Sequence, residues 1–456
     1  MNYFTLVDFL YGPLALVIVI IFARVKKYRN IQTTPELKYY TSGLYVKLLG
    51  GISLCLIYTL YYGGGDTVNY MVDALVMLRL LLANPTGFFD IMINGGDMAN
   101  LYYFTSETGR PEYFRDPPTF FVVRLIVPFA LIGAGSFIAT TIVVATFSYM
   151  GVWKLYTLFI QEFPTLKKEM AIAILFIPSV FFWGSGIMKD TITFSCIGYY
   201  TYSFYWIFIK RKYTFMLFVQ LLLSIYLIIM IKPYIVFALL PGSLLWFVSV
   251  NVKNIKNTVI KVLVGPFLFV IAIGGGYLLL VSMSTLLGTY SVDNVLEKAA
   301  VTNRDLKADY YGGNSFDIGD FDPTVSSMLQ KAPLAINAAI FRPYIWEAKN
   351  IVMLLSGIES MFLIYMTLRI LFRLRIYGVF SMSMKNPLLT FSLIFSLFFA
   401  FSVGISTSNF GSLVRYRIPV LPFYMASLFI MEYYFKNRNL EKEALKYKEE
   451  KPKELI

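Results

Sequence analysis

Phe120–Ala134, FFVVRLIVPFALIGA, is the stretch whose reading decides the fold. It is apolar, yet shorter than the ~20 residues a bilayer-crossing helix needs, and it carries Arg124 and Pro128 in its interior. Counted as a crossing, it reverses the side of every loop that follows. Read as a re-entrant or interfacial helix, it leaves them in place. Loop charge favours the second reading: Lys167 and Lys168, the run Lys210–Lys212, and Lys253 to Lys261 then all fall inside, as the positive-inside rule requires.

Working outward, Val7–Ala23 is an apolar run followed by RVKKYR, Arg24–Arg29. A basic cluster after the run marks a retained first span with its amino terminus outside, not a cleaved signal peptide. Tyr45–Tyr62 returns and delivers GGGDTVNY, Gly63–Tyr70, to an acidic outer loop, 63–136, in which Val68–Leu82 has the spacing of an amphipathic surface helix. On the other side of the deciding stretch, spans are expected at Phe137–Ile160, Met170–Ile187, Thr191–Ile209, Tyr213–Ile231, Tyr234–Val250 and Val259–Val281. A second polar outer loop, 282–348, precedes three more, Ile351–Leu371, Leu388–Ile405 and Ile418–Phe435. The expectation is therefore an all-α polytopic integral membrane protein with about eleven transmembrane helices. Residues 1–435 form one transmembrane domain with the amino terminus outside, and 436–456 form a charged cytoplasmic tail. No internal repeat is visible, which counts against inverted-repeat transporters.

Composition agrees. Hydrophobic residues make up 57% and charged residues 15% of the chain, with a mean hydropathy of +0.65, whereas charged residues are about 25% of a soluble domain. The net charge of +13 sits largely in short loops beside apolar runs, so it signals topology and not nucleic-acid binding. Cys55 and Cys196 both lie in apolar segments, which leaves no disulfide frame or zinc site. The chain has no histidine. Acid–base chemistry must then use carboxylate, lysine or tyrosine, and no metal or cofactor is expected.

With sides assigned, charge converges on the outer rim: Asp66 after the second span, Lys189 and Asp190, Lys232 in IKPY, Arg342 in FRPYIWEAKN, and Arg415 and Arg417 in GSLVRYRIPVLP, Gly411–Pro422. Basic residues outside run against the positive-inside trend and ask for an anionic partner at that face. Guanidinium suits phosphate because its planar fork matches two oxygens. Each residue also has a plainer reading. The arginines snorkel to headgroups, Lys189 and Asp190 pair within a loop, Lys232 merely precedes a helix-starting proline, and Asp66 caps the surface helix. Asp97, Asp116 and Asp190 are secondary acid candidates. Asp317, Asp320 and Asp322 lack the spacing of a calcium loop.

GGGDTVNY after an early span, PSVFFWGSGIMKD (Pro178–Asp190) at a span end, FRPYIWEAKN followed by Glu359, and FGSLVRYRIPVLPFY before the last span together resemble the O-antigen polymerase (Wzy-like) and EpsG-like polysaccharide polymerases, in or near the GT-C class of polytopic glycosyltransferases. The resemblance follows the order of elements over most of the chain, through short and degenerate motifs. It implies sugar transfer from a polyprenyl-diphosphate carrier at the outer face of the plasma (inner) membrane, without a nucleotide sugar. By that likeness Asp66 is similar to the early acidic residue of GT-C enzymes, and Arg415 and Arg417 to the late basic residues of the polymerases.

The residues support the same chemistry by themselves. A polyprenyl-diphosphate glycolipid keeps its tail in the bilayer and its head at the rim. Transfer to a glycan acceptor needs a carboxylate to take a hydroxyl proton and cations to hold the departing diphosphate. Asp66 is the expected catalytic residue, and Arg415, Arg417, Arg342, Lys232 and Lys189 the diphosphate ligands. Two other classes use the same residues: a transporter or flippase for an anionic or lipid-linked substrate, which predicts charge at the bilayer midplane, and a non-catalytic scaffold of an envelope assembly.

Overall fold

The computed structural model describes residues 4–251, 295–307 and 314–450. The expected span Val259–Val281 and the basic loop from Lys253 to Lys261 lie outside the described residues. Among those described, secondary structure is helical, and the single extended pairing is an isolated bridge between Ser315 and Asn409.

The helices are α1 (Leu6–Asn30), α2 (Lys38–Leu56), α3 (Asp66–Ala83), α4 (Pro85–Asn94), α5 (Pro117–Ile132), α6 (Phe137–Glu162), α7 (Lys167–Leu175), α8 (Pro178–Trp183), α9 (Lys189–Phe204), α10 (Phe215–Ile231) and α11 (Tyr234–Asn251). After the gap come α12 (Val295–Asp305), α13 (Val325–Gln330), α14 (Ala332–Phe341), α15 (Ile351–Ser383), α16 (Pro387–Ser406), α17 (Phe410–Tyr416) and α18 (Val420–Glu450). Six are long and apolar enough to cross a membrane: α1, α2 with its approaches, α6, α11, α15 and α16. The bent pair α17 and α18, at 61° to each other, makes a seventh if it is one span.

The count of about eleven expected from the sequence exceeds this for local reasons. Met170–Ile187 is not one helix: the chain breaks before Pro178 and unwinds again between Gly184 and Met188. Proline removes a backbone donor and disfavours helix at the residue before it. Thr191–Ile209 is helical, as α9 running into a π turn at Tyr205–Ile209, but its threonines, serines and tyrosines keep it below span-like hydropathy. Tyr213–Ile231 shortens to the 17 residues of α10. The deciding stretch becomes α5, 16 residues with Pro128 inside, and it falls in the shorter class. Its Arg124 turns sideways, Nη1 donating to the Met92 carbonyl at 3.1 Å at the end of α4.

Two features of this packing position the site. At the crossing of α6 and α9, a Cβ on Gly198 would run into the carbonyl of Gly151, so only glycine lets the two backbones touch. That close approach fixes α9 against α6. The stretch 282–348 is not loose where described: α14 packs against α16, burying Ala335, Ala338 and Ala339. The Asn303 amide donates to the Ile405 carbonyl at 3.1 Å, and the Ser408 hydroxyl donates back to the Asn303 carbonyl at 2.5 Å. These bonds dock α12 on the turn between α16 and α17. The surface helix anticipated at Val68–Leu82 is α3, and Val68, Met71, Ala74 and Met77 are buried at helical spacing.

Candidate functional site

The helix starts and turns brought together in this way surround a cavity of about 470 Å³. Its lining mixes polar side chains, among them Asp66, Tyr70, Tyr113, Thr119, Lys189, Asp190, Lys232, Lys298 and Arg415, with apolar ones, among them Ile231, Phe237, Leu296, Phe398, Phe401, Val403 and Ile405.

Asp66 reaches the cavity because of the turn before it. A π turn ends α2 at Tyr61, and Gly63, Gly64 and Gly65 all take positive φ, with Gly65 at 120° against the Tyr58 ring. A side chain at Gly65 would be strained and would meet that ring. Gly65, not Asp66, is the N-cap of α3. Asp66, the first helical residue, therefore does not cap; its Oδ2 accepts from Arg415 Nη2 at 2.7 Å. Its side chain keeps 45% of its exposure, against 18% for Arg415.

Lys189 and Asp190 are neighbours in sequence that face different partners, so the loop ion pair does not form. Asp190 is buried, and its Oδ1 takes Lys232 Nζ at 2.5 Å; the same ammonium lies 4.5 Å from the Tyr416 ring centre. Lys189 Nζ donates to Thr119 Oγ1 at 2.5 Å, and the Thr119 hydroxyl donates to Asp116. Asp190 Oδ2 lies 3.8 Å from Arg415 Nη2 and has no hydrogen-bond partner among the described residues, nor has Arg415 Nε. Buried polar atoms in that condition are costly unless water or a ligand completes them. In the lining, the basic side chains of Lys189, Lys232, Lys298 and Arg415 outnumber the carboxylates of Asp66 and Asp190, so the cavity wall carries net positive charge and suits an anion. Burial lowers the Lys298 pKa, opposed by Asp116, and pushes the Tyr70 and Tyr113 phenols up, which keeps both as neutral donors.

Three sequence candidates lie elsewhere. Arg417 is fully buried and is not on the cavity wall: its Nη1 donates to the Arg342 carbonyl at 2.6 Å and to Ser360 Oγ at 3.1 Å, and its Nη2 lies 3.4 Å from Glu359 Oε1. Glu359 is also held by the Ser179 amide at 2.8 Å and hydroxyl at 2.6 Å. Arg417 thus ties the bend between α17 and α18 to α14, α15 and α8, and is corrected from diphosphate ligand to internal strut. Arg342 is likewise withdrawn. It forms a forked pair with Glu347 and stacks on Phe316 and Phe410, whose ring centres lie 4.8 and 5.3 Å away. Asp97 is exposed and caps a short turn, its Oδ1 accepting from the Ala99 amide at 3.2 Å.

The sequence reading missed Thr119, Lys298 and Tyr416 as wall residues. Thr119 had a signal, an aspartate three residues earlier in DPPT at a helix start. The other two had none. No family model, curated protein or solved structure matches the chain.

Proposed function

We propose that this chain is an integral-membrane glycosyltransferase or glycan polymerase that uses a polyprenyl-diphosphate-linked sugar donor at the outer face of the membrane. The observation that carries the reading is one cavity whose wall combines an excess of cations, Arg415, Lys189, Lys232 and Lys298 against Asp66 and Asp190, with apolar side chains such as Ile231, Phe398 and Phe401. An isoprenoid diphosphate joins the same two chemistries in one molecule. In this reading the acceptor hydroxyl attacks the anomeric carbon, Asp66 takes its proton, the bond from that carbon to the diphosphate oxygen breaks, and Arg415, Lys189 and Lys232 stabilise the leaving diphosphate. The reading keeps the amino terminus outside, so that the Asp66–Arg415 cluster faces outward.

The test is binding of farnesyl diphosphate against farnesol to the purified protein. Arg415→Gln should weaken the diphosphate about tenfold or more, the usual weight of a charged hydrogen bond, and leave farnesol nearly unchanged. Equal loss for both probes, or no loss for either, overturns the reading. Labelling of single cysteines tests the topology: positions 66, 320 and 412 should react from one side and 211 and 373 from the other.

One observation favours a transporter instead. Lys47, buried in the span-like α2, donates to the Gly184 carbonyl where the chain unwinds between α8 and α9, and discontinuous helices with buried charge are a transporter feature. Lipid-linked substrate moved across vesicles without glycan product would select that reading.

A further inference from the structure

Arg415 belongs to two cavities. Its second, of about 370 Å³, does not include Lys232, and its wall is of a different chemistry. Tyr58, Tyr62 and Trp183 supply aromatic surface, and Asn314, Asn350 and Asn409 supply amides; no carboxylate lines it, and Arg415 is its one cation among the described residues.

Two of those amides are oriented by helix ends. Asn350 Oδ1 accepts from the Met353 amide at 2.9 Å as the cap of α15, and Asn409 Oδ1 accepts from the Gly411 amide at 2.9 Å as the cap of α17. With each oxygen committed to a cap, the side-chain NH2 is what each asparagine offers to the cavity. Tyr62 is 47% exposed and packs edge-on against Tyr58, with ring centres 5.4 Å apart, and Tyr58 stands edge-on to Trp183. Fixed amide donors beside exposed aromatic surface suit a ligand with many hydroxyl oxygens and apolar C–H faces, and the near absence of charge disfavours an ionic one.

We infer that this second cavity is a binding subsite for a neutral carbohydrate, joined to the cationic cavity through Arg415, which lines both. Its assignment to the acceptor glycan rests on the glycosyltransferase reading; carbohydrate binding itself does not.

The experiment is saturation-transfer NMR on the purified full chain with two neutral probes, a trisaccharide of hexoses and one of N-acetylhexosamines. Tyr62→Ala removes an exposed ring, and Asn350→Asp keeps the helix cap while replacing the amide donor with a carboxylate. At least one trisaccharide should bind, and each variant should weaken it about fivefold or more, the weight of one hydrogen bond or one ring contact. Farnesyl diphosphate binding should stay unchanged in both variants. Absence of binding by either probe, or binding that neither variant alters, overturns the subsite. Loss of farnesyl diphosphate binding along with the trisaccharide signals a damaged fold, and overturns the claim that these residues act on carbohydrate alone. Because the Arg415→Gln test uses a different probe, the subsite and the diphosphate reading fail separately.

Discussion

The rim cluster around Arg415 and the closed cluster around Arg417 are made of the same groups, guanidinium, carboxylate and hydroxyl, only two residues apart in the chain. They differ in what is left over. Around Arg417, Glu359 has both oxygens engaged and Arg417 is fully buried among carbonyl and hydroxyl partners, although its Nε has none among the described residues. Around Arg415, whose Nε is likewise unpartnered, Asp66 stays half exposed, Asp190 keeps an unpartnered oxygen, and cations exceed carboxylates. A cluster whose carboxylate is fully engaged and shut off from the cavity holds the fold; one that leaves carboxylate oxygen and excess cation on a cavity wall can hold a ligand.

The comparison breaks most readily at Arg417. Arg417→Met should destabilise the protein by about 3–5 kcal/mol, because it leaves Glu359 buried without its cation. Arg415→Met, at the open cluster, should change thermal unfolding in detergent far less. Equal destabilisation by the two would erase the distinction between strut and site.

Next in size is turnover at Asp66. Asp66→Asn still accepts a hydrogen bond from Arg415 but takes no proton, so glycan formation from a defined polyprenyl-diphosphate donor should fall ~100-fold or more. Asp97→Asn, at an exposed cap, should leave the rate within about twofold, since asparagine caps as well as aspartate. A normal rate for Asp66→Asn moves the base elsewhere, and Asp116, joined to Lys189 through Thr119, is the next residue to replace.

The last effect concerns Asp73, on the same helix as Asp66. Its carboxylate accepts from the Glu112 and Tyr113 amides at 2.8 and 2.9 Å and so ties α3 to the outer loop. Burial, opposed by those two bonds, pushes its carboxyl up to about 6. A native pKa above the unfolded ~3.9 means the folded state binds the proton more tightly. The associated stability is full below pH ~4 and is lost as pH rises through about 6, up to about 3 kcal/mol. Thermal unfolding followed from pH 4 to 7 should show this decline, and Asp73→Asn should flatten it. A wild-type profile that rises over that window contradicts the assignment.

Much of the site was visible before folding. Asp66, Lys189, Asp190, Lys232 and Arg415 each follow or precede an apolar run, and charges at such places must find partners. Their pairing was not visible. Arg415 and Arg417 sit together in one loop-like dodecapeptide of the sequence; in the structure Arg415 lies in the last turn of a short helix that ends at Tyr416, and Arg417 is its C-cap. Residues two apart on a helix point to nearly opposite sides, so one arginine meets the cavity and the other the core.

Composition and apolar periodicity by themselves determined that this is an all-helical chain with several membrane-length helices, that histidine chemistry is excluded, and that a helix follows Gly63–Gly65. These are local properties, written in side-chain polarity and in the few residues that permit a given backbone. The tertiary structure alone decided where Met170–Ile187 breaks, that α14 buries its alanines in what reads as a polar loop, and which of the rim charges share a cavity. Those outcomes depend on contacts between distant segments. Arg415 and Asp66 are separated by 349 positions, and no spacing rule in a single sequence encodes a distance of that kind.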